Sequence, residues 1–96
     1  MNKFLTVVSY PQNENGDLIT KKKDYEIISL ADVVRLGVLY DDNSYKLIIE
    51  FEDDQYEYPI SDSISDREIY AIVTQLTDFI KDTQMTIWLD LTKYQR

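Results

Sequence analysis

The feature that most constrains this fold is a helix-start signal followed by a single apolar stripe. Ser65 and Glu68 are spaced as a capping box, in which each side chain can bond to the other residue's backbone N–H. Apolar residues then recur at three- and four-residue intervals: Ile69, Ile72, Val73, Leu76, Phe79 and Ile80. This spacing puts them on one side of an amphipathic helix, which must bury that side. The sequence therefore predicts one long helix over about 65–81.

Alternating apolar residues predict strands on both sides of this helix. Residues 45–51 and 56–60 place large apolar groups at every second position, with an acidic turn between them. Further strand-like stretches are found at 4–10, 25–30, 33–40 and 85–92. We expect an α+β fold: an antiparallel sheet of five or six strands, with the helix packed on one face and a final strand after it.

Chain length and composition narrow the class of protein further. Ninety-six residues are enough for one hydrophobic core, so we expect a single domain over 1–96. The absence of cysteine excludes disulfides and thiolate chemistry and suits a reducing compartment. No apolar run approaches membrane-spanning length, and residues 1–4 lack the pattern of a signal peptide. The expectation is a cytoplasmic protein that does not enter a membrane.

The formal charge of −8 is concentrated in the middle of the chain. Residues 41–68 contain ten acids and two bases, so the remainder of the chain is neutral overall. Such a surface repels nucleic acids and anionic membranes and attracts basic partners. The plain alternative is that turns and helix starts collect Asp and Glu for solubility and capping.

The commonest general base and metal ligand, histidine, and the thiolate of cysteine are missing, although paired carboxylates leave hydrolysis by two acids open. The chain has no histidine and no cysteine, and its two glycines cannot build a phosphate-binding loop. Adjacent acids such as Asp53 and Asp54 point in different directions in a turn, and their spacing does not match a calcium-binding loop. We therefore expect a non-enzymatic protein with no catalytic residue, no cofactor and no metal site.

Acids and tyrosines together suggest a recognition surface, because rings supply rigid contact area and acids select Lys and Arg on a partner. The candidate partner-binding residues are Glu50, Glu52, Asp53, Asp54, Tyr56 and Glu57. On one strand, Glu50 and Glu52 would stand about 7 Å apart, close to the phosphate spacing along a DNA strand. The plain alternative for the tyrosines is sheet propensity, with the rings in the core.

In its small size, acidity and tyrosine content the chain resembles phage-encoded inhibitors, including some anti-CRISPR and DNA-mimic proteins. The resemblance is one of composition and involves no family motif. It implies an inhibitor that blocks the basic nucleic-acid-binding surface of a host enzyme without binding nucleic acid itself. The alternative is a structural or assembly subunit, or an immunity-type partner, that binds through a sheet edge or the face carrying Trp88. Either protein could be a monomer or a homodimer.

Overall fold

The computed structural model describes residues 2–96. Within that range the regular elements are β1 (Phe4–Ser9), β2 (Asp24–Ser29), β3 (Arg35–Asp41), β4 (Ser44–Glu50), β5 (Gln55–Ile60), α1 (Asp66–Lys81), β6 (Thr86–Asp90) and a 3₁₀ turn (Thr92–Tyr94). The α+β class is confirmed, as are the long helix and the strand that follows it.

The expectation of one antiparallel sheet is wrong. The strands form two sheets of three, which we call sheet 1 (order β2-β1-β6) and sheet 2 (order β3-β4-β5). Sheet 2 is an antiparallel meander, whereas sheet 1 is mixed because β6 pairs with β1 in parallel. The parallel pair arises because α1 carries the chain back across the molecule before β6 begins.

Helix width explains why a single sheet would not bury its own apolar face. Six strands at about 4.8 Å spacing would make a sheet more than twice as wide as the ~10 Å helix that must cover it. Dividing the strands lets both sheets turn their apolar rows toward the helix. Leu5 and Val7 of sheet 1, Leu47 and Ile49 of sheet 2 and Ile72 of α1 belong to one buried cluster.

The ends of the central hairpins follow from local chemistry. Asp42 and Asn43 have positive φ values of 51° and 62° and form the two-residue loop between β3 and β4. Asn and Asp tolerate this left-handed conformation better than other side-chain-bearing residues, and two such residues fit the twist of a tight hairpin. The longer loop between β4 and β5 is closed by a hydrogen bond from the Phe51 N–H to the Asp54 carbonyl at 2.8 Å.

The helix begins with the predicted capping box. The Glu68 N–H donates to the Ser65 Oγ at 3.2 Å, and the Ser65 N–H donates to the Glu68 carboxylate at 3.1 Å. Ile64, before the cap, is buried, and Ile69 packs against the same core. The helix start is therefore fixed both by hydrogen bonds and by apolar contact, as the sequence predicts.

The other end of the helix is held by a residue from the start of the chain. The Lys3 Nζ donates to the carbonyl oxygens of Phe79, Asp82 and Gln84, at 2.7, 2.6 and 2.5 Å. Lys3 is only 8% exposed, and its Nζ lies 4.7 Å from the centre of the Phe79 ring. Carbonyls at a helix end lack partners within the helix, and a cation is favoured there. Lys3 therefore supplies a C-terminal cap from 76 residues away in sequence.

Replacing Glu68 with Gln is expected to remove part of the pH dependence of stability. The Arg96 guanidinium donates to both Glu68 carboxylate oxygens, at 2.7 and 3.1 Å. These bonds, with help from the Ser65 backbone, lower the pKa of Glu68 to about 2. A carboxylate with a lowered folded-state pKa stabilises the fold fully above its unfolded-state pKa of about 4.3. That contribution is lost as the pH falls toward 2, so the thermal midpoints of wild type and Glu68→Gln should converge there.

Arg96→Gln is the matched variant, because it removes the main cause of the lowered pKa and leaves the carboxylate in place. Thermal unfolding from pH 7 to pH 2 should show the same reduced pH dependence for both variants. A constant difference in melting temperature across this range would contradict the role given to the ion pair.

Candidate functional site

The six residues predicted to bind a partner lie in one stretch of sheet 2 but face different directions. The structure places Glu50 at the end of β4, Glu52, Asp53 and Asp54 in the β4–β5 turn, and Tyr56 and Glu57 in β5. Successive strand residues point to opposite faces of a sheet, so Tyr56 and Glu57 point apart. The predicted spacing of Glu50 and Glu52 along one strand is wrong, because β4 ends at Glu50.

Two of the predicted acids are engaged in cross-strand ion pairs on the outer face of sheet 2. The Arg35 guanidinium lies 2.7 Å from the Glu50 carboxylate, and the Lys46 ammonium lies 3.6 Å from that of Glu57. Solvent-exposed pairs of this kind contribute only about 0–1 kcal/mol to stability. They do offset the local charge, so this face is less acidic than the sequence alone suggests.

The β4–β5 turn keeps its negative charge. Glu52, Asp53 and Asp54 are all exposed, and among residues 2–96 none of them forms a salt bridge. The turn is held in shape by the Phe51–Asp54 backbone bond and by the Gln55 N–H, which donates to an Asp54 carboxylate oxygen at 2.8 Å. Three adjacent carboxylates are therefore presented to solvent on an ordered turn.

An open pocket of about 320 Å³ adjoins this turn. Its lining consists of Ile27, Ile28, Ser29, Phe51, Asp54 and Tyr56. The rings of Phe51 and Tyr56 meet edge to face, with centroids 5.9 Å apart. The pocket thus combines an apolar and aromatic wall with one carboxylate, and it joins the turn of sheet 2 to the strand β2 of sheet 1.

A partly buried hydrogen bond links β5 to β2 near this pocket. The Tyr58 hydroxyl of β5 donates to the Glu26 carboxylate of β2 at 3.1 Å. Burial, and then the nearby Glu26 charge, raise the pKa of Tyr58 above its usual value. The phenol therefore stays protonated at neutral pH and remains a donor, which ties β5 to β2 beside the pocket.

A second surface lies on the outer face of sheet 1. Trp88 is 64% exposed, and its ring meets the Tyr25 ring edge to face, with centroids 5.8 Å apart. Trp88 and Tyr25 stand on the two strands that flank β1, and Val8 of β1 is 4% exposed although it points to the same side. The helix packs on the opposite side of the sheet, against Leu89 and its neighbours. On this face the Trp88 and Tyr25 side chains are exposed to solvent, whereas Val8 is buried.

Two general features of the described chain bear on function. Within residues 2–96 no helix is long and apolar enough to cross a membrane. Over the same range no three acidic side chains are grouped so that they could hold a metal ion.

Sequence reasoning found the acidic turn and Tyr56 but missed the residues of β2 that complete the pocket. Ile27, Ile28 and Ser29 lie more than 20 positions before the turn, so no local pattern connects them. The one available signal is the adjacent pair Ile27-Ile28, which must place one large apolar side chain on each face of its strand. Ile28 enters the core, and Ile27 is left 74% exposed.

Comparison with known proteins identifies no relative: no protein-family model, no curated protein and no solved structure matches this chain.

Proposed function

We propose that this protein is a non-enzymatic binding module that engages a basic surface on another protein. The observation that carries the proposal is the β4–β5 turn, where Glu52, Asp53 and Asp54 are exposed and form no salt bridge within residues 2–96. Free carboxylates on an ordered turn attract Lys and Arg and lose little conformational freedom on binding. The net charge of −8 adds long-range attraction for the same partner.

In its most specific form the proposal is a phage-type inhibitor, similar in action to anti-CRISPR or DNA-mimic proteins, that acts in the cytoplasm. The partner would be an enzyme whose basic groove normally holds nucleic acid. Carboxylates would then occupy positions meant for phosphates, while the protein itself repels nucleic acid. Glu50 and Glu57 would contribute less than the turn, because Arg35 and Lys46 offset their charge.

The exposed face of sheet 1 supports a second candidate, an assembly subunit or immunity-type partner. Trp88 and Tyr25 form an aromatic pair on a sheet face that the helix does not cover. Exposed Trp and Tyr residues are frequent anchors of protein interfaces. An interface of this kind depends on apolar contact and is therefore much less sensitive to salt.

A pull-down from a lysate of the source cells, washed at low and at high salt, separates the two candidates. The leading proposal expects a basic nucleic-acid-binding enzyme that is retained at about 50 mM salt and released at about 500 mM. At the higher concentration the Debye screening length is only a few ångströms, so exposed charges attract each other weakly. Trp88→Ala should retain that partner. Salt-resistant capture that Trp88→Ala abolishes would reject the leading proposal in favour of the second candidate.

A further inference from the structure

The outer edge of β2 offers backbone groups that have no partner among residues 2–96. The Leu30 N–H donates to the Lys3 carbonyl at 2.9 Å, which fixes which residue pairs bond across the antiparallel β1–β2 ladder. Hydrogen-bonded pairs alternate in such a ladder. The backbone N–H and C=O of Ile28 therefore bond to β1, whereas those of the residues before and after it point away from β1. The N–H and C=O groups directed off the free edge are those of Tyr25, Ile27 and Ser29. Within residues 2–96 none of the three N–H groups has an acceptor.

The open pocket lies directly against this edge. Ile27, Ile28 and Ser29 form one wall, and Phe51 and Tyr56 form the other. Its volume of about 320 Å³ is at the lower end of the range for ligand sites, ~300–1,000 Å³, and suits one long side chain better than a whole cofactor.

The chemistry of the lining selects the side chain. Isoleucine and ring surfaces can cover an aliphatic stem, and the faces of Phe51 and Tyr56 can attract a cation. The Asp54 carboxylate lines the same pocket, with Glu52 and Asp53 beside it in the turn. An apolar stem that ends in a positive charge, as in Lys or Arg, satisfies both requirements.

We propose that the free edge of β2 and the adjoining pocket bind an extended basic segment of a partner protein, with one Lys or Arg side chain of that segment in the pocket. The segment adds a strand to sheet 1 through the N–H and C=O groups of Ile27 and its alternate neighbours. Strand addition supplies affinity that is independent of sequence, and the pocket supplies selectivity for the basic side chain. This inference rests on the proposed function and names the part of the partner that is recognised.

The test uses three blocked peptides and the isotope-labelled full chain. The peptides are acetyl-Thr-Val-Lys-Val-Thr-amide and its analogues with norleucine or Glu in the central position. Norleucine keeps the aliphatic stem and removes the charge. Nuclear magnetic resonance should show shifts at the Ile27 amide and the Tyr56 ring, and slower hydrogen exchange at the Ile27 amide. We expect the Lys peptide to bind at least tenfold more tightly than either analogue.

Asp54→Asn and Asp53→Asn form the matched pair of variants. They make the same change of charge in the same turn, but only Asp54 lines the pocket. Asparagine at position 54 can still accept the hydrogen bond from the Gln55 N–H, so the turn should keep its shape. Asp54→Asn should abolish the preference for Lys over norleucine, and Asp53→Asn should leave most of it.

Four outcomes would overturn the inference. Equal binding of the Lys and norleucine peptides, or equal effects of the two variants, would remove the role of the pocket. Shifts confined to Trp88 and its surroundings would place the peptide on the other face. Concentration-dependent shifts of the β2 edge without peptide would mean that a second copy, with its own basic run Lys21–Lys23, is the occupant. If a salt-sensitive basic partner is nevertheless captured, the proposed function stands and only this inference fails.

Discussion

Lys3→Met is expected to lower the free energy of unfolding by about 3 kcal/mol. The substitution keeps an apolar stem but removes a buried ammonium that donates to three carbonyl oxygens at the end of α1. Hydrogen bonds to a charged group contribute ~1.5–3 kcal/mol each. The Phe79 carbonyl would keep a weaker bond, from the Asp82 N–H at 3.3 Å. Water reaching the partly buried carbonyls of Asp82 and Gln84 should limit the total loss. Urea denaturation of the two proteins measures the difference.

Lys81→Met is the control for this experiment, because Lys81 is an exposed lysine in the last turn of the same helix. It loses the same charge near the same end of the helix dipole, which contributes only about 0.3–1 kcal/mol. If Lys3→Met were no more destabilising than Lys81→Met, the hydrogen bonds from Lys3 to the helix end would make no measurable contribution to stability.

Elements fixed by neighbouring residues could be predicted from the sequence. The helix start depends on Ser65 and Glu68, which are three positions apart, and the structure contains both bonds of that capping box. The strands follow from the alternation of apolar residues, which repeats every two positions. Their bounds differ from prediction by a few residues, as where Val33 and Val34 precede β3 instead of beginning it.

Features that depend on distant parts of the chain could not be predicted. The division into two sheets depends on how much apolar surface one helix can cover. The alternation of residues within each strand gives no information about that area. Lys3 reads as an ordinary polar residue near the start of the chain. Its role exists only because β1 begins beside the C-terminal end of the helix.

Only the part of the candidate site that depends on neighbouring residues could be predicted. The acidic turn is local, and its three carboxylates are exposed as the sequence suggests. The ion pairs of Glu50 and Glu57 arise from strand register, and the pocket arises where β2 meets the turn. From the sequence, the face carrying Trp88 is an alternative binding surface, and in the structure Trp88 is 64% exposed.

Charge reversal at the turn is expected to have the largest effect on function. Asp53→Lys with Asp54→Lys should weaken binding to the captured partner by roughly 100-fold at low salt, about 2.7 kcal/mol. The reason is that each substitution removes an attraction and introduces a repulsion against a basic surface. At high salt the difference between wild type and variant should shrink severalfold, because exposed charges are then screened.

The affinity of this double variant for the captured partner, compared with Glu14→Lys with Asp17→Lys, tests the central claim most directly. The control pair makes the same change of net charge in the exposed loop before β2, whereas the turn lies beside the other end of that strand. If binding depends on the turn, the control variant should lose only the small part of the affinity that comes from the overall charge of the protein. Equal losses in the two variants, or no loss in either, would contradict a basic partner bound at Asp53 and Asp54.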